Sequence, residues 1–119
     1  MKKKIALIQM QAALADVETN YRHAEELMEQ AMEGNRDILV LPETWNTGFY
    51  ISRKLKSIAD EGGKRTETFL SSFAKKHHVN VVGGSAAVLC GDDVYNRSFV
   101  FDREGRKIAE YDKVHGFSY

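Results

Sequence analysis

Lys4-Ile5-Ala6-Leu7-Ile8-Gln9-Met10 is apolar on both of its alternating faces: Ile5 and Leu7 lie with Gln9 on one, and Ala6, Ile8 and Met10 on the other. A strand with one solvated face alternates apolar with polar residues, whereas this run suits a central strand covered on both sides. Asp37-Ile38-Leu39-Val40-Leu41-Pro42 reads as a second buried strand, ended by a proline that cannot donate to a ladder. Between the two the period changes. Val17, Tyr21, Ala24, Leu27, Met28, Ala31 and Met32 recur at spacings of three and four, which predicts a helix over residues 17–32. Asp16 fits its N-cap, Glu18 its first turn, and Gly34 its C-terminal stop. Strand, helix, strand in this order predicts parallel pairing.

Downstream, residues 43–63 hold three glycines (Gly48, Gly62 and Gly63) and no sustained period. They predict a long loop with one helical turn, and long loops in compact domains are often functional. Residues 64–76 form a helix with Phe69, Leu70, Phe73 and Ala74 facing inward. Val79 to Gly84 is a third strand, Gly91-Asp92-Asp93 a turn, and residues 95–102 a fourth strand. Arg103-Glu104-Gly105 is a hairpin turn and residues 107–111 a fifth strand. The order β-α-β-α-β-β-β defines an α/β chain ending in a hairpin, without repeats or linkers. Two helices shield one sheet face, yet the strands are apolar on both. The second face therefore calls for further chain or a partner to cover it.

The 119 residues amount to one domain, and 43% hydrophobic against 29% charged residues is the composition of a folding chain. Seventeen basic residues balance seventeen acidic ones, which argues against a nucleic-acid binder. The single cysteine, Cys90, excludes a disulfide framework and a cysteine zinc site. No apolar run approaches the ~18–20 residues of a membrane helix, and the segment behind the basic start is too short for a signal peptide. The expected compartment is the cytoplasm. His77 and His78 are adjacent and show no ligand spacing with His23 or His115, so no metal is expected. Gly62-Gly63-Lys64 is no phosphate loop: Ile58 stands where its first glycine belongs, and Arg65 follows the lysine. No GxGxxG follows the first strand, and no cofactor is expected.

Two residues could carry chemistry. Glu43 follows the strand that ends at Pro42, at the carboxyl edge where open α/β sheets bind ligands. A partly desolvated carboxylate there can act as a general base; a solvated loop glutamate is the plain alternative. Lys113 closes the last strand. It could stabilise an oxyanion or simply face water. Trp45 and Phe49 could line a pocket or pack on the loop.

The combination is more specific than its parts. Leu41-Pro42-Glu43-Thr44-Trp45 followed by Gly48-Phe49 resembles the first catalytic motif of the nitrilase superfamily of carbon–nitrogen hydrolases. Tyr111-Asp112-Lys113-Val114-His115 resembles the lysine motif of the same family. The opening Ile5 to Gln9, Asn20, Gly83-Gly84-Ser85 and Tyr95-Asn96 fit the family's order over essentially the whole chain. The resemblance implies the N-terminal half of a four-layer α-β-β-α sandwich and a Glu-Lys-Cys triad. It makes Glu43 the general base, Lys113 the oxyanion cation and His115 a structural residue ordering the lysine loop. The substrate it implies is a small aliphatic amide, and the stretch after Glu43 is similar to the branch that deamidates ω-amides of 2-oxo acids.

The same resemblance places the cysteine nucleophile and a second glutamate well beyond the lysine motif. The chain ends six residues after Lys113, so the expectation is a single domain, 1–119, truncated after that motif. Gly116-Phe117-Ser118-Tyr119 fits the family less well, since a larger apolar residue belongs where Gly116 stands. Cys90 precedes the lysine in a turn at the far end of the third strand and reads as a small, half-buried, inert residue. Two readings follow. One is an amidase of this family. The other is a catalytically inactive half-domain that self-associates, or complements a second half, through its open sheet face.

Overall fold

The computed structural model describes residues 2–49 and 54–113. In chain order the elements are β1 (Ile5–Leu7), α1 (Val17–Met32), β2 (Ile38–Val40), α2 (Leu55–Ile58), β3 (Asp60–Glu61), α3 (Lys64–His77), β4 (Asn80–Val82), β5 (Ala86–Cys90), β6 (Asp93–Phe101) and β7 (Lys107–Asp112). The seven strands among the described residues form one sheet, ordered β1-β2-β4-β6-β5-β3, with β7 paired to β6. As the strand–helix–strand order predicts, β1, β2 and β4 run parallel. The hairpins β5–β6 and β6–β7 are antiparallel.

The two long helices form where the periodicity places them. The Asp16 carboxylate caps α1 by accepting from the Thr19 N–H at 3.2 Å. The left-handed residue after α1 is Asn35, not Gly34. The first turn of α3 is capped from a distance: Asp60 accepts from the Arg65 and Thr66 N–H groups at 3.2 and 2.7 Å. Tyr21, Ala24 and Met28 of α1 and Leu70, Phe73 and Ala74 of α3 are buried against Leu39, Val81, Phe99 and Phe101. Each such large side chain contributes roughly 1.5–3 kcal/mol over its exposed state.

Register shows which face this core uses. Ala6, Leu39, Val81 and Phe101 stand side by side across four strands, and the last three are fully buried beneath the helices. The neighbouring row, Leu7, Val40, Val82, Val100 and Ala109, points the other way. None of these five is buried, and Leu7 is 69% exposed. Along this row the sheet is therefore covered on one side only among the described residues.

Three elements differ from the sequence-based expectation. The first strand, read as central and covered on both sides, is β1 at the edge of the sheet order, paired only to β2, with Ile5 and Leu7 exposed. Residues 86–90 are a separate strand, so Cys90 ends β5 instead of sitting in a turn. Ala86 and Ala87 have weak strand propensity; five register pairs with β6 override it. The stretch 43–63 contains the expected helical turn, α2, but also β3, which pairs in parallel with β5. Leu55 packs with Ala87 and Val94, so α2 covers one end of the otherwise open face.

Candidate active site

Glu43 leaves the sheet just after β2, and a dense backbone lock holds the turn that carries it. Gly84 approaches so closely that a Cβ there would stand 2.0 Å from the Pro42 carbonyl oxygen. Its φ of +62° also favours glycine. Ser85 Oγ accepts from the Thr44 N–H at 2.9 Å, and the Trp45 N–H donates to the Ser85 carbonyl at 3.2 Å. Asn46 bonds both ways with the Ala87 backbone: Oδ1 accepts at 2.9 Å and Nδ2 donates at 3.1 Å. Asn20 reaches in from α1, its Nδ2 donating to the Asn46 and Ala13 carbonyls at 2.9 and 2.8 Å. Thr44 itself is held at φ 49°, an uncommon conformation for a residue other than glycine, directly after the carboxylate.

Lys113 is placed from the other side of the sheet order. Arg97 on β6 forms a two-point ion pair with Asp112 at 2.6 and 3.0 Å. The hydrogen bonds to Asp112 raise the guanidinium's pKa above its ordinary value, against the opposing effect of burial. This pair fixes the end of β7. The next residue, Lys113, donates its backbone N–H to the Asn96 carbonyl at 3.0 Å. Its ammonium then donates to Glu43 Oε1, joining residues 70 positions apart in the chain. Both side chains remain about half exposed, at 42% for Lys113 and 52% for Glu43.

Strand alternation settles the position of Cys90. Arg97 and Asp112 share a face, so Asn96 and Lys113 share the opposite one. The Cys90 thiol accepts from Arg97 Nη2 at 3.4 Å and so lies on the Arg97 face, across the sheet from Lys113. It is half-buried, as expected from the sequence.

Trp45 takes the packing alternative. It is fully buried, donates its indole N–H to the Gly83 carbonyl at 3.0 Å, and meets the Tyr21 ring edge-on with centroids 4.9 Å apart. Phe49 is exposed. His115 and Gly116 to Tyr119 lie outside the described residues. Among the described residues no group of three or more His, Cys, Asp or Glu is placed to hold a metal ion, and His77 instead meets Glu29 at 3.0 Å. No helix among them is long and apolar enough to cross a membrane. Asn46 and Arg97 help to position the candidate site but were not singled out in the sequence, since their partners are distant in the chain.

A Glu–Lys pair joining the chain just after β2 to the chain just after β7, on the more open face of an α/β sheet, is matched by a known class. The carbon–nitrogen hydrolase family model matches residues 4–118, and the chain belongs to that family. The chain is 39% identical over 117 residues to a 2-oxoglutaramate amidase of Bacillus subtilis (strain 168), covering 98% of this chain and 44% of that protein. An omega-amidase of Saccharomyces cerevisiae is 32% identical over 123 residues, covering 98% and 42%. The crystal structure of Saccharomyces cerevisiae Nit3, a member of branch 10 of the nitrilase superfamily, superposes with a TM-score of 0.83 at 29% identity. That match covers 95% of this chain and 44% of the other. The chain thus spans less than half the length of these relatives.

Proposed function

We propose that this chain supplies the base and the oxyanion cation of an amidase that cleaves a small aliphatic amide, the ω-amide of a 2-oxo acid. The observation that carries the reading is the contact of Lys113 with Glu43, which brings the two motif residues together at one sheet edge. The relatives named 2-oxoglutaramate amidase and omega-amidase support the substrate class.

In this reading Glu43 takes the proton of a cysteine thiol, which is only a few per cent ionised at neutral pH. The thiolate attacks the amide carbon, and Lys113 stabilises the oxygen that becomes negative. Glu43 returns the proton to the leaving nitrogen, ammonia departs, and a thioester remains. Glu43 then takes a proton from water, the hydroxide attacks the thioester to release the acid, and Glu43 returns its proton to the departing thiolate. Cys90 lies on the wrong face to be that nucleophile, which favours a thiol supplied by further chain or by a second polypeptide.

Ammonia release from a panel of ω-amides tests this. The chain is assayed alone and fused to the part of the Bacillus subtilis relative that it does not match, each with Glu43→Gln beside it. The expected result is release by the fusion only, abolished by Glu43→Gln. Wild-type rates in that variant would sink the assignment. Release by the chain alone that depends on Glu43 would place the nucleophile within these residues and make Cys90 the suspect.

A second reading rests on the open row of Leu7, Val40, Val82, Val100 and Ala109. By itself the chain is an inactive half-domain that pairs with a second copy through this face. Light scattering over a concentration series is expected to show dimers, and a monodisperse monomer at high concentration would count against it.

A further inference from the structure

One buried polar group on the Lys113 face has no partner among the described residues. Asn96 lies within β6, is 5% exposed, and its Oδ1 is buried without a hydrogen-bond partner among the described residues. Buried acceptors of this kind are uncommon because they lose water and gain nothing in return. The surroundings narrow what Oδ1 can take. On one side Asn96 stands beside Ala87, whose side chain is a methyl group and whose backbone N–H and carbonyl are engaged by Asn46. On the other side stands Lys113, tied to the Asn96 carbonyl and sharing its face. Facing residues of neighbouring strands hold their Cβ atoms ~4.5–5.5 Å apart. An ammonium has three N–H donors, and one from Lys113 is given to Glu43. The charged groups near this row are Glu43 and Lys113 on the Asn96 face, and Arg97, Asp112 and Glu110 on the other.

We propose that Asn96 is a positioning residue for Lys113, its Oδ1 receiving an ammonium N–H when Glu43 becomes protonated. The inference rests on the base role given to Glu43 above. When Glu43 takes a proton it loses its charge, and its hold on the ammonium weakens. Lys113 keeps its proton throughout; only a hydrogen bond moves, from Glu43 Oε1 to Asn96 Oδ1. A neutral acceptor keeps the cation aimed at the developing oxyanion without neutralising it.

The test is NMR of the Lys113 ammonium in the full chain, read as its nitrogen chemical shift and the exchange of its Nζ protons with solvent. It compares wild type, Glu43→Gln (a mimic of the protonated carboxyl), Asn96→Leu, Asn96→Asp and their combinations with Glu43→Gln. Glu43→Gln alone should move the ammonium signal; no change would overturn the Glu43–Lys113 pairing itself. In the Glu43→Gln background Asn96→Leu should speed Nζ proton exchange by roughly two- to tenfold, the worth of one hydrogen bond, while Asn96→Asp should not. The Asp variant keeps the shape and an acceptor, so its unaltered or slower exchange decides the matter even if the Leu variant fails to fold. With Glu43→Gln moving the signal, exchange that speeds equally in the Asp variant, or stays unchanged in the Leu variant, would overturn the proposal.

Discussion

Gly84 and Pro42 are in backbone contact so close that a single methyl group cannot be placed between them: a Cβ on Gly84 would lie 2.0 Å from the Pro42 oxygen and 2.5 Å from that of Leu41. The contact sits one residue before Glu43. It connects the loop after β4 to the turn after β2, and through it Glu43 to the rest of the sheet.

Gly84→Ala is therefore expected to destabilise the chain by more than ~2 kcal/mol, combining the positive φ with a clash against backbone that cannot rotate away. Urea denaturation followed by tryptophan fluorescence reads this directly, since Trp45 is in the same turn. A loss under half that value would mean the 41–45 segment moves more freely than the contact implies.

Asn46→Ala should be costly for a different reason. It removes an acceptor and a donor that satisfy the Ala87 backbone inside the fold, at about 1–3 kcal/mol for each group left buried and unpaired. Hydrogen exchange of the Ala87 amide should accelerate along with the loss of global stability. An unaltered exchange rate would show that another group takes its place.

Tyr21 gives a pH dependence. Burial pushes its phenol up to about 12, despite the Thr66 hydrogen bond that favours the ionised form. The unfolded phenol titrates near 10, so the stabilising preference is intact below pH 10 and is lost as pH rises from 10 through about 12. The gap from 10.0 to about 12 corresponds to at most about 3 kcal/mol. Denaturation midpoints of wild type should fall across this window, while those of Tyr21→Phe should fall less. Parallel curves for the two would place the alkaline loss elsewhere.

Leu7→Asp puts a charge at the β1 end of the uncovered row, on its most exposed side chain. Because Leu7 is exposed in the single chain, the substitution should cost the monomer under ~0.5 kcal/mol. It should nevertheless shift sedimentation from dimer to monomer. A dimer that survives the charge would have to be formed elsewhere.

Cys90→Ala should be nearly silent, with a stability change of about 1 kcal/mol or less for a half-buried thiol. The Arg97–Asp112 pair and the Lys113 position do not depend on the thiol. A tenfold fall in ammonia release by an active form would show that the thiol has been placed on the wrong face.

Much of the fold was legible from local pattern. The inward residues of both long helices, the parallel strands and the last hairpin follow from periods of three to four and of two, which a chain expresses over a few neighbours. β5 was not legible, because Ala86 and Ala87 gain strand character only from their partners on β6. β3 escaped for the same reason: two residues, Asp60 and Glu61, extend because Val88 and Leu89 lie alongside. Of the candidate site, Glu43 and Lys113 were visible as motif residues. The polar groups that hold them, such as Asn46 and Arg97, were not, since nothing near them in sequence marks their partners.

The sequence alone determined the residue types available for chemistry, the helix faces and the α/β alternation, because these depend on side-chain chemistry and short-range spacing. The tertiary structure decided what depends on register. It buried Trp45 in the core, put Cys90 across the sheet from Lys113, left Leu7 and Val82 uncovered, and joined Lys113 to Glu43. A shift of one residue in any strand pairing would exchange the two faces without altering the local pattern. The face on which Lys113 meets Glu43 is therefore a property of how distant strands align.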